Sequence, residues 1–348
     1  MFKFLSDPYL VAAFLAGAIS AFFTVVIAVV VIALRLRLRR DERRWDRFVG
    51  SWRPALLGAM VEPGAAPLPP LAPRQAVLFM RLWAYLHESV RGESARRLND
   101  AARLLGVDVT ARKLLRRGSR ADKLLAILSV GHLRDALARD DLLALAAHPD
   151  AVLSVNAARA LIQIDAPAGA RQLMPLILAR EDWDVARVAG LLVEARETFA
   201  ALLVQDIPQL ATTQLVRALR LGCALRLALP PATLRFLLDP SRPAAVVAEA
   251  LRLADNAELA DEVRRCLYAD DPRVREQAAR QLASLGGPAD VALLAGLLDD
   301  AIWPVRLAAV QALVALPFMD QRQLDALRQS GSASEPIFLH VLAQRELA

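Results

Sequence analysis

The sequence predicts an all-α protein, a solenoid of stacked helix pairs carried behind a single N-terminal transmembrane helix. Three observations predict it. A helical pattern recurs about every 31 residues through the C-terminal two thirds of the chain, and self-similarity at 20–50 residues marks a repeat architecture. Tyr9 to Leu34 is a run of 26 residues without a charged side chain, where about 20 apolar helical residues suffice to cross a bilayer core. Nothing in the repeat region alternates with period two, so a sheet is not expected.

The repeat is clearest near the C-terminus. Val274-Arg275 is followed by Ala278, Leu282 and Leu285, and Val305-Arg306 by Ala309, Leu313 and Leu316. The spacing 0, 4, 8, 11 keeps one face of a 3.6-period helix inward. Upstream, Leu153 brings Ala157, Leu161 and Ile164; Val246 brings Ala250 and Ala254; Asp122 brings Ala126, Val130 and Leu133. Val185 brings Ala189 and Val193, then fails at Arg196. Leu215 brings Leu219 and Cys223, and a start at Gln214 fits about as well. The seven anchors, at 122, 153, 185, 215, 246, 274 and 305, mark the second helix of each pair. First helices are expected at 135–148, 168–179, 198–210, 232–238, 258–268 and 289–298. Turn and cap signals separate them at Pro149-Asp150, Asp182, Pro230-Pro231, Asp271-Pro272 and Gly286-Gly287-Pro288. Asp271 ahead of Pro272 is a good helix start, because Asp accepts orphan N–H groups and Pro is tolerated at the first helical position.

These residues resemble HEAT repeats of the short bacterial kind, similar to the phycobiliprotein-lyase type. The marks are an Asp before the second helix, the Val-Arg pair that opens it, and the Ala and Leu that follow. They stand as Asp271, Val274-Arg275, Ala278 and Leu282, and again as Asp300, Val305-Arg306, Ala309 and Leu313. The middle copies lack the pair, with Asn156 and Ala186 among the replacements. The resemblance covers residues 121–348 and implies a right-handed α-solenoid of HEAT-like helix pairs, with the second helices lining the inner curve. It specifies the fold and says little about function.

The apolar run is expected to be a retained anchor. A buried helix of a soluble domain rarely runs this long. A cleaved signal peptide would be shorter, would have more than Lys3 ahead of it, and would not place arginines where the cleavage site should lie. Lys3 and Asp7 cancel before the span, whereas Arg35, Arg37, Arg39, Arg40, Arg43, Arg44 and Arg47 crowd after it. Positive charge stays in the cytoplasm. The tail at 1–8 is therefore expected outside a bacterial inner membrane, residues 9–34 across it, and the rest inside. Ala13, Gly17 and Ala21 form a small-residue ridge through which two copies of this helix can touch, or one copy and another membrane protein. Small residues are common in such helices anyway.

The net charge of +6 is unevenly spread, with +11 over residues 35–120 and −5 over 121–348. Basic residues beside a cytoplasmic leaflet are attracted to anionic lipid. Trp45, Phe48, Val49 and Trp52 lie at i, i+3, i+4 and i+7, so residues 35–61 are expected to form a basic amphipathic helix on the membrane surface. Arg35, Arg37, Arg39, Arg40, Arg43, Arg44, Trp45 and Trp52 would carry the lipid contact. Nucleic acid could use the same charge, but its place beside the anchor favours lipid. Residues 62–73 hold five prolines and are expected to be an extended linker. Residues 74–120 resume a helical pattern and are expected to cap the array at 121–348, or else to form a separate small domain.

Signals for catalysis are missing. The four histidines, His87, His132, His148 and His340, are widely spaced, and His87-Glu88 does not extend to the two-His helix pattern of a zinc protease. Cys223 and Cys266 read as buried small apolar residues in a reducing compartment. Asp140-Asp141, Asp270-Asp271 and Asp299-Asp300 fall where helices begin or end, so capping explains them better than acid–base work. No glycine series fits a phosphate cradle, and no metal, cofactor or enzymatic activity is expected.

Recognition has one candidate. At +6 in the second helices stand Arg159, Arg252 and Arg280, with Arg220 joining if its copy starts at Gln214 and Gln311 in the last clear copy; Leu191 breaks the row. A ladder of this kind grips carboxylates or phosphates. The plain alternative is a solvated helix face, since Arg is a good helix former. Together these features point to a membrane-tethered cytoplasmic scaffold that binds a protein partner. The resemblance extends to membrane-anchored HEAT proteins of high-GC bacteria, some of which accompany glycosyltransferases in surface-polysaccharide synthesis, and so implies an accessory role to such an enzyme. Two other classes stay open. One is a signalling adaptor responsive to an effector, for which no sensor motif is present. The other is an enzyme on a HEAT scaffold. Phycobilin lyases share the repeat but act as soluble proteins, which an anchor is hard to reconcile with. HEAT-like DNA glycosylases use Trp, Asp and Arg in a cleft; Trp183 and Trp303 are present, but the acidic array would repel DNA phosphates.

Overall fold

The computed structural model describes residues 8–61, 68–330 and 334–347. The tail at 1–7 and the linker at 62–67 lie outside the described residues, as does the side chain of Ala13. Among the described residues every regular element is helical, with no strand. The chain divides into two compact units, Met1–Leu133 and Arg134–Ala348.

The first unit is organised by α1 (Pro8–Val61), one helix of 54 residues. From Gly17 to Arg44 every side chain is exposed, including Phe22, Phe23, Ile27 and Ile32. Thr24 gives its hydroxyl to the carbonyl of Ser20, so that group is satisfied within the helix. The helix is long and apolar enough to cross a membrane. Beyond Arg47 it changes partner. Phe48, Trp52 and Leu56, spaced by four on one face, are buried where α1 packs on α2 (Ala76–Glu88) and α3 (Gly92–Leu104). Trp52 stacks on Phe48 at 5.7 Å and meets Phe79 of α2 edge-on at 5.0 Å. Arg97 of α3 donates to the carbonyls of Met60 and Val61 at 3.3 and 2.5 Å. It thereby satisfies two of the acceptors that a helix C-terminus leaves without partners.

This packing corrects the expectation for Trp52. It is 3% exposed and belongs to a protein core, not to a membrane surface. An apolar stripe states that a face must be covered; it does not say whether lipid or protein covers it. The unit is completed by α4 (Val107–Arg117) and α5 (Arg120–Leu133), which pack on each other, with α5 also against α2. Gly106 joins α3 to α4 at φ +69°, a conformation glycine adopts without a Cβ penalty.

The second unit is a run of helix pairs: α6 (Arg139–Ala146) with α7 (Ala151–Ile164), α8 (Ala166–Ala179) with α9 (Val185–Leu192), α10 (Arg196–Asp206) with α11 (Thr212–Ala224) and α12 (Pro231–Leu237) with α13 (Ala244–Leu251). Then follow α14 (Ala260–Cys266) with α15 (Pro272–Leu285), α16 (Asp290–Gly296) with α17 (Trp303–Ala315) and α18 (Gln321–Ser330) with α19 (Glu335–Leu347). Second helices pack in sequence, α7 on α9, α9 on α11, and so on to α17 on α19. The anchors 153, 185, 215, 246, 274 and 305 all fall in these second helices, and 122 falls in α5. Ala157, Ala250, Ala278 and Ala309 are fully buried, which lets neighbouring helices approach closely. At Gly169 a Cβ would stand 2.9 Å from the carbonyl oxygen of Leu161, so α8 lies against α7 at a distance only glycine permits.

Capping follows from the aspartates. Asp150 accepts the amides of Val152 and Leu153, Asp165 that of Ala168, Asp184 that of Arg187 and Asp271 that of Arg273. Arginines then tie repeat to repeat. Arg275 closes a two-point contact on Asp300 at 2.8 and 3.1 Å and also donates to the carbonyls of Ala269 and Asp270. Arg275 is therefore a brace between successive repeats, whereas Arg306 of the second pair donates to the carbonyl of Asp300 ahead of its own helix. Arg264 closes a similar contact on Asp290, at 2.6 and 3.0 Å, and Asp290 also accepts the amide of Gly287 at 2.7 Å. Arg217 of α11 reaches the carbonyls of Ile177 and Trp183, both at 2.7 Å.

Candidate functional site

Burial sets the register of the proposed arginine row. Leu215 is buried and Gln214 is not, so the copy on α11 starts at Leu215, and Arg220 stands at +5. The +6 position there is Leu221, which is fully buried. Arg220 does not share the register of the others, a correction to the alternative that placed it in the row. The structure nonetheless brings it beside Arg252 through a shared carboxylate. Glu249 receives Arg220 Nε at 2.8 Å and lies 3.6 Å from an Arg252 terminal nitrogen. Arg252 itself is the C-cap residue that follows α13. Arg280 pairs with Glu276 at 2.7 Å on its own helix. Arg159 is exposed and makes no ion pair among the described residues, and Gln311 is half-buried. The row is thus an exposed polar face on the second helices, partly neutralised by Glu249 and Glu276. The arginines are exposed but their carboxylate partners are largely buried, Glu249 at 13% and Glu276 at 20%, so a partner's carboxylates would add to these pairs instead of replacing them.

The basic stem is different. Arg35, Arg37, Arg39, Arg40, Arg43, Arg44 and Arg47 share α1 with Asp41, Glu42 and Asp46, yet none forms an ion pair within 4 Å among the described residues. Trp45 is half-buried and stacks on Phe48 at 6.5 Å. Gly17 and Ala21 are exposed on α1, and at Gly17 an added Cβ would meet open space.

Sequence spacing missed one constellation. His87 of α2 and His132 of α5, 45 positions apart, stack with ring centroids 4.1 Å apart and Trp83 beside both. Asn99 of α3 gives its amide N–H to the carbonyl of His132 at 2.9 Å, which leaves its oxygen facing His87 Nε2 at 3.0 Å. That assignment makes His87 Nε2 the proton-bearing nitrogen. His132 Nε2 is buried with no hydrogen-bond partner. Burial, with the His87 and Arg91 charges adding, pushes His132 down to about 4; burial lowers His87 as well, opposed by its Asn99 bond. Ring contacts and the two Asn99 hydrogen bonds join these residues across three helices, so no sequence motif announces them.

A stability consequence follows. The unfolded chain protonates His132 near pH 6.5, whereas the folded unit resists until about 4. Between those values the unfolded state binds the extra proton, and stability falls by about 1.4 kcal/mol per pH unit as pH drops. Thermal melts from pH 7 to 4 are expected to show that slope in the native chain and a shallower one in His132→Phe, which keeps the ring contact. Equal slopes would remove the role of this pair.

Other candidates are structural. Trp183 is buried and donates Nε1–H to Ser154 Oγ at 3.0 Å, so it braces two repeats; Trp303 is half exposed. Burial raises both thiols, Cys223 and Cys266, to about 11. Among the described residues no three His, Cys, Asp or Glu side chains converge as a metal site would require.

A family comparison agrees with the helix pairing over the C-terminal repeats. Residues 237–333, which hold both Val-Arg pairs, match the family of HEAT repeats. No curated protein matches the chain. Among solved structures, the chain is similar to an engineered protein at 19% identity and a TM-score of 0.34, over 77% of this chain and 84% of that one. It is also similar to the complex of CpcE and CpcF of phycocyanin lyase from Nostoc sp. PCC7120, at 16% identity and a TM-score of 0.28, over 80% of this chain and 97% of that one.

Proposed function

We propose that this HEAT-repeat chain is a membrane-tethered cytoplasmic scaffold that docks a protein partner and carries out no chemistry of its own. One observation carries the proposal: α1 runs without a break from an exposed apolar stretch into the core of the first unit. A helix that is uncovered along 28 residues and then buried at Phe48, Trp52 and Leu56 is suited to fix a folded unit at a bilayer. The arginines after the apolar stretch favour a cytoplasmic array. HEAT repeats generally present a surface to other proteins, and the second-helix face with Arg159, Arg220, Arg252, Arg280 and Gln311 suits an acidic segment.

The finer reading is an accessory subunit of a membrane glycosyltransferase in surface-polysaccharide synthesis, docked through that enzyme's cytoplasmic domain. It rests on the resemblance to membrane-anchored HEAT proteins and on the shared membrane address. The test is capture from detergent-solubilised membranes by the native chain and by Arg252→Glu/Arg280→Glu. The native chain is expected to retain a membrane glycosyltransferase and the variant to lose at least ~10-fold of it, since reversing two charges against an acidic partner costs well over 1.4 kcal/mol. The helical circular-dichroism signal should stay unchanged. Undiminished capture by the variant would remove the arginine face from the proposal.

A further inference from the structure

Between α1 and the start of α2 lies a crevice of about 340 Å³ lined by Arg44, Arg47, Phe48, Ser51, Gln75 and Leu78. We infer that it is a binding site for the phosphodiester headgroup of an anionic lipid, resting on the reading of α1 as a membrane span.

Four of the six lining residues come from one helix face. Arg44, Arg47, Phe48 and Ser51 stand at i, i+3, i+4 and i+7, the spacing that brings side chains onto a single stripe. Phe48 is buried and makes an apolar floor with Leu78; Ser51 and Gln75 add a hydroxyl and an amide at the wall. Two guanidinium groups over an apolar floor match a phosphate attached to a glycerol backbone. The volume is at the lower end of small-molecule sites, which run from about 300 Å³.

Availability of the arginines is the second argument. In the second unit Arg180, Arg264 and Arg275 each close on an aspartate at 3.1 Å or less. Arg44 and Arg47 have Asp41 and Asp46 on the same helix and pair with neither. Arg47 uses only Nε, donating to the carbonyl of Arg43 at 3.1 Å. Both keep their terminal N–H groups for an outside anion.

Height above the bilayer is the third. A span of 26 residues is about 39 Å long at 1.5 Å per residue, enough to cross a hydrocarbon core of about 30 Å with some tilt. Arg44 and Arg47, ten and thirteen residues past Leu34, follow the apolar run by about 15 and 20 Å of helix, which tilt shortens, and the headgroup layer is about 5–7 Å thick. Long arginine side chains reach back toward that layer by snorkelling. A lipid of the same leaflet is therefore the nearest phosphate.

The test uses the detergent-solubilised full chain titrated with short-chain phosphatidylglycerol. Arg44→Gln/Arg47→Gln is expected to weaken binding roughly 30-fold, two arginines at about 1 kcal/mol each. Arg35→Gln/Arg37→Gln, closer to the span, should change it less than about 3-fold, or under about 0.7 kcal/mol, because neither side chain lines the crevice. Equal losses in the two variants would make the attraction diffuse and overturn the site. Glycerol phosphate binding as tightly as the lipid would overturn the lipid assignment. Carbonate extraction keeps the premise separate: a native chain retained in membranes that ignores phosphatidylglycerol contradicts the crevice alone, whereas a released chain contradicts the span.

Discussion

Trp52→Ala is expected to destabilise the first unit by about 3–5 kcal/mol, the usual cost of removing a large buried aromatic. Trp52 is 3% exposed and fills the contact between α1 and α2, touching Phe48 on one side and Phe79 on the other. The surrounding helices cannot collapse into the gap, because α1 is tied at its end by Arg97 and α2 is held by Trp83 and its bond to Leu98. The measurement is the denaturant midpoint of the unit, followed by fluorescence of the buried Trp83. A tryptophan lying on lipid would behave differently: its loss would weaken membrane affinity and leave the midpoint where it was. The two outcomes separate a helix that enters the protein core from one that rests on the bilayer.

Asp290→Ala is expected to cost the second unit about 3 kcal/mol, the lower end for breaking a buried ion pair by removing one partner. Asp290 is fully buried, holds Arg264 at two points, and accepts the amide of Gly287. Its removal strands that amide and one face of the guanidinium. Arg264 is about one third exposed and keeps Asp261 at 2.6 Å, which limits the cost. Its Arg264 partner also holds the Asp290 carboxyl below the usual aspartate range. Stability from this pair is therefore complete above the unfolded value near 3.9 and is lost as pH falls through the lower folded value. A thermal melt of Asp290→Ala that matches the native chain at pH 7 would contradict the brace.

The repeat was legible because it is made of packing. Val274, Ala278 and Leu282 must face inward at helical spacing, and the same pattern returns at Val305, Ala309 and Leu313. Short loops then force each helix beside the next. The last pair escaped notice because its signal is short. Ile337 and Val341 are buried 32 and 36 residues after Val305, but four residues further on the sequence has Arg345 and the apolar pattern stops. The register at α11 could not be chosen from spacing alone; burial of Leu215 chose it, and moved Arg220 off the row. Contacts between distant helices carry no sequence period at all. The His87–His132 stack, the Arg220–Glu249–Arg252 contact and the crevice at Arg44 and Arg47 each depend on which helices become neighbours. For the same reason the stripe at Trp45 to Trp52 shows that it is apolar but not that α2 and α3 cover Phe48 and Trp52.

The measurement that bears most directly on the proposed scaffold is the location of a C-terminal reporter on the full chain in carbonate-washed bacterial membranes. The account predicts a reporter that is active on the cytoplasmic side and stays with the membrane pellet at the full length of the chain. A reporter facing outward, or a shortened chain released to the supernatant, would contradict it.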